Sequence, residues 1–242
     1  MAQATETVLV IGATGNIGTA VILGALQSGR NVLAVVRNQD SAKKLSENLG
    51  EGQDKITVVE ADVISDQGVQ GVVDKVRAGA LPAFRHVFSS VGGGYTEKTM
   101  LETTTEELRE FMTHNFESNF FAYRATIPYL LEKKDIPCTW TMCTGSQGDK
   151  GDRALPAISQ GAMFSMAFSA CKSLADTNVR FNEIYLDQRV EVDVVAEQHG
   201  TMRSSVFGRV YANILDKTDI KGCRILVESE DDVDSLKTEH KA

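Results

Sequence analysis

The stretch from Thr7 to Arg37, TVLVIGATGNIGTAVILGALQSGRNVLAVVR, leaves this chain few folds to choose from. An apolar run suited to a buried strand, Val8 to Ile11, enters a turn that carries Gly12, Gly15 and Gly18. A helix of small and apolar residues follows as far as Gly29, and a second apolar run spans Val32 to Val36. Strand, glycine turn, helix, strand is the unit from which parallel α/β sheets are wound. It is also a cradle for a pyrophosphate, because backbone N–H groups approach the phosphates closely only where no Cβ intervenes. The glycines recur every third residue, a looser spacing than G-x-G-x-x-G, so the weight rests on the strand before them and the helix after. Gly12, Thr14, Gly15, Asn16, Ile17 and Gly18 are the expected phosphate contacts. A tight turn without a ligand is the alternative.

The end of the second strand bears on which dinucleotide is expected. A carboxylate there accepts hydrogen bonds from a ribose 2′-hydroxyl and repels a 2′-phosphate, whereas this chain has Arg37 after Val36. NADP(H) is therefore favoured over NAD(H), against the plainer reading of an exposed arginine at a strand end.

The rest of the chain alternates strand and helix patterns. Asp40 to Leu49 reads as a helix, Ile56 to Val59 as a third strand and Ser65 to Arg77 as its crossover helix. Asp62 and Val63, just past the third strand, fall where an adenine lies in a doubly wound sheet; Asp62 equally suits a helix cap. A fourth strand, His86 to Ser90, runs into Val91-Gly92-Gly93-Gly94, and its Ser90 and Gly92 are small enough to pass a cofactor. Thr103 to Lys133 is helical, with a capping-box-like start and an expected stop near Pro128. Thr139 to Thr144, Val179 to Leu186 and Cys223 to Val227 complete seven strands. Helices are expected over Ala157 to Asp176 and Met202 to Leu215. The expectation is one α/β domain over residues 1–228. Residues 229–242 read as a charged, loose tail.

Composition narrows the partners. A formal charge of −8 with no long basic cluster argues against nucleic acid and anionic membranes, and no apolar segment reaches a membrane span. Met1 to Glu6 lacks the pattern of a secretion signal, so a cytoplasmic protein is expected. Cys138, Cys143, Cys171 and Cys223 lack metal-ligand spacing and read as reduced packing residues, with no metal site expected. Cys143 alone stands at a strand end aimed at the cofactor.

These residues resemble the short-chain dehydrogenase/reductases. The resemblance runs from the glycine turn to Ile220-Lys221-Gly222-Cys223-Arg224-Ile225-Leu226-Val227, although GATGNIG is closer to the family's atypical branches. It implies a Rossmann-type doubly wound, parallel seven-stranded sheet with helices on both faces, a nicotinamide dinucleotide and a homodimer or homotetramer. Asn115, thirteen residues before Pro128, matches the helix asparagine that holds a proton-relay water in active members; bonding to neighbouring backbone is the alternative.

The catalytic pattern departs from the family. Active relatives place a Ser after the fifth strand and a Tyr-x-x-x-Lys pair at the start of the next long helix, where Tyr protonates the substrate oxygen and Lys lowers its pKa. Aligned by its end, Lys172-Ser173-Leu174-Ala175, that helix puts Ile158 at the Tyr position and Ala162 at the Lys position, and the pair is read as absent from the chain. Thr144 or Ser146 keeps a hydroxyl near the Ser position, or simply caps the loop. Leu186-Asp187 stands where Pro-Gly usually faces the nicotinamide. Tyr185 and Asp187 are thus ionisable groups at the rim where ligands bind, with a packed Tyr and a solvated Asp as alternatives. A desolvated Asp187 of raised pKa is the sharpest candidate acid or base, and Leu186 to Thr201 is expected to form a substrate lid.

The resulting expectation is an NADP(H)-binding enzyme of this family acting on a small organic substrate, of secondary-metabolite type, through Asn115, Ser146, Tyr185 and Asp187. A non-redox isomerase, cyclase or lyase is the alternative, with a silent nucleotide sensor behind it.

Overall fold

The computed structural model describes residues 6–50 and 53–241, so most of the polar N-terminus read above lies outside the described residues. The chain runs β1 (Thr7–Ile11), α1 (Asn16–Gln27), β2 (Asn31–Val36), α2 (Gln39–Leu49), β3 (Ile56–Glu60), α3 (Gly68–Arg77) and β4 (His86–Ser89). It continues through α4 (Thr105–Met112), a π-helical turn (Thr113–Glu117), α5 (Ser118–Leu131), β5 (Cys138–Gly145), α6 (Gln147–Lys150), α7 (Ala154–Ser173) and β6 (Val179–Leu186). The last part is β7 (Val190–Glu191), α8 (Asp193–His199), β8 (Met202–Arg203), α9 (Ser204–Asp216), β9 (Cys223–Val227), α10 (Asp232–Ser235) and β10 (Thr238–His240).

The main sheet is ordered β10-β9-β6-β5-β4-β1-β2-β3. Seven strands are parallel, as expected from runs such as Thr7–Ile11, buried along their whole length because helices cover both faces. Val8 and Val10 face α1, α2 and α9, while Leu9 and Ile11 face the layer of α3, α5 and α7. Chain order reverses at β1, which lies between β2 and β4. In an open α/β sheet, a crevice opens beyond the carboxyl ends of the strands at such a reversal.

The eighth strand corrects the expectation of a loose tail. Thr238 to His240 pair antiparallel with Ile225 to Cys223, and Val233 and Leu236 are buried against the α1/α9 side of the core. All three β10 side chains are exposed, so apolar patterning gave no sign of it; pairing with the open edge of β9 holds it in place.

Two helices differ from expectation in their ends. α5 continues to Leu131 through Pro128, and Thr104 forms the capping box of α4 with Glu107. α7 begins at Ala154 rather than Ala157. Helices α1 and α9 cross where Gly24 meets Gly208, and a Cβ on either would overlap the other's backbone. The stretch between β6 and α9, expected to be a lid, carries the small β7/β8 sheet and α8. It is tied to the glycine turn, since Ser204 Oγ donates to the carbonyls of Asn16 (3.2 Å) and Glu191 (2.9 Å).

Candidate functional site

A cleft of about 690 Å³ opens beyond the ends of β1, β2, β3 and β4. Gly12, Thr14 and Gly15 of the turn, Arg37, Asp62, Val63, Ser90, Gly92 and Asn115 all line it. Asn16, Ile17 and Gly18 lie behind this lining, in the first turn of α1. That turn holds no acidic side chain, and its leading N–H groups lack intrahelical acceptors, the arrangement that binds an anion. Gly12 has φ +87°, and a Cβ there would come within 2.8 Å of the Ser90 carbonyl oxygen, so only glycine lets β1 and β4 converge beneath the cleft.

At the β2 end, Arg37 is joined by Lys44 of α2, which sequence reading missed. Neither has an ion-pair partner among the described residues, which leaves two cations for a phosphate. Lys44 follows from the N-cap: Asn38 Oδ1 accepts from Ser41 N (3.0 Å) and starts α2 beside the cleft. Asp62 Oδ1 accepts from Ile64 N (3.2 Å) in a turn rather than capping α3, whose N-cap is Gln67.

Asn115 sits in the π-helical turn, buried, with its polar atoms engaged inside the protein. Its Oδ1 accepts from Gly93 N (3.0 Å) and its Nδ2 donates to the Phe111 carbonyl (2.9 Å). Its own carbonyl accepts from Asn119 Nδ2 (2.8 Å), and Asn119 Oδ1 accepts from Ser89 Oγ and Val91 N. Asn115 and Asn119 together pin the chain leaving β4 to the wall of the cleft. Asn119 is the residue sequence reading missed; its spacing of one helical turn from Asn115 was the available signal.

Ser146, Tyr185 and Asp187 gather at the ends of β5 and β6, where Ser146 N donates to the Leu186 carbonyl (3.1 Å). They do not line the cleft with Asn115. The expectation of a raised Asp187 is overturned. Lys150 Nζ lies 2.6 Å from Asp187 Oδ1, and Lys150 and Ser146 hold its carboxyl below the ordinary range. Tyr185 is pushed up to about 12 by burial and by Asp149, with its ring under the Arg224 guanidinium and 5.9 Å from the ring of Phe164. Beneath it, buried Glu183 accepts from Thr144 Oγ1 (2.7 Å) and from Arg224, and is paired with Lys241. The Thr144 hydroxyl is thereby committed to Glu183. Cys143, at the same strand end, has its thiol pushed up to about 12 by burial and is no nucleophile near neutral pH.

Ile158 is not among the α7 residues that meet the β5 rim. Gln160 turns its side chain onto the end of β5, its Oε1 accepting from Gly145 N (2.8 Å), and Phe164 follows one turn later against Tyr185. Ile158 faces an apolar recess with Met100, Leu108 and Leu155. A shift of two residues rotates a helix position by about 200°, so the positions facing the rim belong to Gln160 and Phe164. A Tyr-x-x-x-Lys spacing does occur once, at Tyr129 to Lys133, which corrects the reading that the chain has none. It lies at the opposite end of the sheet, where Tyr129 packs on Phe84 beside the start of β4 and Lys133 covers its ring.

The fold and the cleft define a dinucleotide-binding protein of the Rossmann class. The sequence profile of the short chain dehydrogenase family matches residues 6–195, and the chain belongs to that family. It is 50% identical over 243 residues to the short-chain dehydrogenase/reductase iacG of Pestalotiopsis fici, covering 98% of this chain and 97% of that one. Among solved structures, NAD+-bound xylitol dehydrogenase is similar with a TM-score of 0.79 at 19% identity, over 92% of this chain and 97% of that one. ElxO with NADP bound also has a TM-score of 0.79, at 15% identity, over 93% and 97%. The chain is therefore an enzyme-like member of a family of NAD(P)-dependent oxidoreductases. No described helix is long and apolar enough to cross a membrane.

Proposed function

We propose that this protein is an NADP(H)-dependent short-chain dehydrogenase/reductase that acts on a small organic substrate through an acid/base site unlike the family's usual one. The observation that carries the reading is the pair of cations, Arg37 and Lys44, without ion-pair partners among the described residues, at the β2 end of a cleft whose other end is the glycine turn. The α1 N-terminus would hold the pyrophosphate, Arg37 and Lys44 the 2′-phosphate, and Asp62 the adenine amino group. When bound, the dinucleotide supplies a hydride donor or acceptor. The chain's own residues orient it: Asn115 and Asn119 fix the floor after β4, and the anchored β7/β8 segment closes the side nearest Asn16. Exposed Phe120 of α5 and Phe168 of α7 support a homodimer or homotetramer.

A second reading, a non-redox isomerase, cyclase or lyase, is favoured by one observation. The positions of α7 that face the β5 rim hold Gln160 and Phe164, and neither side chain is a proton donor of useful pKa. Calorimetric titration with NADPH and NADH, followed by NADPH oxidation assays over a panel of small carbonyl compounds, separates the readings. Tight NADPH binding with turnover supports the reductase; binding with no oxidation of any carbonyl, beside isomerisation or elimination of one, supports the second.

A further inference from the structure

We infer that Gln160 is a catalytic residue, its side-chain amide donating a hydrogen bond to a carbonyl or enolate oxygen of the substrate at the β5 rim. This rests on the enzyme reading above. The Gly145 N–H only donates, so the end of Gln160 that meets it must be the carbonyl oxygen, 2.8 Å away. The orientation of the amide is thereby fixed by chemistry. Its Nε2, with two N–H donors, has no acceptor among the described residues and is not among the buried unsatisfied atoms.

On the face of α7 turned to the rim, this amide is the side-chain donor left free among the described residues. Ser159, the preceding residue, is buried and spends its hydroxyl on the Pro156 carbonyl (3.1 Å). Phe164, one turn later, offers none. Thr144 is committed to Glu183, and Asp187 to Lys150. A held amide polarises a carbonyl and stabilises negative charge developing on its oxygen, as a preorganised donor does in an oxyanion hole. It transfers no proton. The proton that completes a reduction, or that moves in an isomerisation, then passes between the oxygen and water at the open rim, and the amide remains neutral before and after.

Isatin, a planar dicarbonyl, serves as the probe, titrated calorimetrically with and without NADP+ so that no turnover intervenes. Gln160→Glu keeps an oxygen for Gly145 N and replaces the two donors with a carboxylate. It should weaken isatin binding about tenfold or more at about pH 8 and regain it progressively below about pH 5, as the new carboxyl, of ordinary pKa about 4.3, takes a proton and donates. Gln160→Met should weaken binding at both values. Asp149, Lys150, Tyr185 and Asp187 flank the rim in every variant, so the difference between proteins isolates residue 160. NADP+ affinity should change less than about twofold, and near-ultraviolet circular dichroism should show the native fold. Equal isatin binding by wild type and Gln160→Glu at both pH values, or no binding by wild type at all, overturns the inference. Failure of wild type to bind NADP+ overturns the nucleotide reading instead, and the titration without nucleotide still decides the role of the amide.

Discussion

Lys150 Nζ stands 2.6 Å from Asp187 Oδ1, and this ion pair turns Asp187 from a candidate acid into a strut between α6 and the segment leading to β7. A carboxyl held below its ordinary range stays charged through neutrality. Its contribution to stability is present above the unfolded-state value, near pH 4, and is lost as pH falls through the lower folded-state value. Asp187→Asn should therefore reduce stability by no more than about 1 kcal/mol at neutral pH, because both side chains are partly exposed, and should lose less than wild type on acidification. Urea unfolding at several pH values checks it. The pH profile of turnover should be unchanged in the variant; a lost limb would restore Asp187 as acid or base.

Arg37 and Lys44 should make the cleft prefer a 2′-phosphate. Charge-assisted bonds contribute about 1.5–3 kcal/mol each, so Arg37→Asp should weaken NADPH binding about tenfold to hundredfold and leave NADH binding equal or tighter. Paired calorimetric titrations measure both. Identical affinities for the two nucleotides in wild type and variant alike are the outcome that refutes the preference.

With Gln160 and Phe164 facing the rim, generic activated carbonyls such as diketones and quinones should be reduced slowly. A positioned general acid contributes at least about 10²-fold, and ordinary turnover is about 10 per second, so rates near or below about 0.1 per second are expected. Stopped-flow absorbance of NADPH decides. Turnover at ordinary rates would show that an acid elsewhere serves the site.

Glu183 is fully buried between Arg224 and Lys241, whose side chains are 14% and 12% exposed. Removing the shared carboxylate strands two nearly buried cations. Glu183→Ala should cost about 3–5 kcal/mol in denaturant unfolding, and Lys241→Ala distinctly less, because Arg224 remains to pair with Glu183. A loss under about 1 kcal/mol for Glu183→Ala would mean that the cations relax into solvent.

The parts of this molecule written in its sequence are those set by local pattern. Val8 to Ile11 and Val32 to Val36 are apolar throughout, Val179 to Leu186 carries Arg180, Asn182 and Glu183 among apolar residues, and all three became strands, while the glycines after β1 placed the cleft. What was hidden depends on geometry between distant elements. α7 is rich in small residues on every side, so its pattern did not say that Gln160 and Phe164 are the positions that face the β5 end. β10 has no apolar residue to announce it. The lowered Asp187 required knowing that Lys150, thirty-seven positions earlier, ends beside it.

The contact of Gly24 with Gly208 bears on how the molecule can move. Backbone meets backbone there, without intervening side chains whose rotamers might take up sliding, so α1 and α9 travel as one body. The glycine turn at the head of α1 and the anchor at Ser204 at the head of α9 consequently shift together, carrying that wall of the cleft with them. The β7 segment belongs to this body as well, held to it by Ser204 Oγ on the Glu191 carbonyl and Asp193 Oδ1 on Ser205 N, which leaves the glycine-bearing stretch after β4 as the chain outside it.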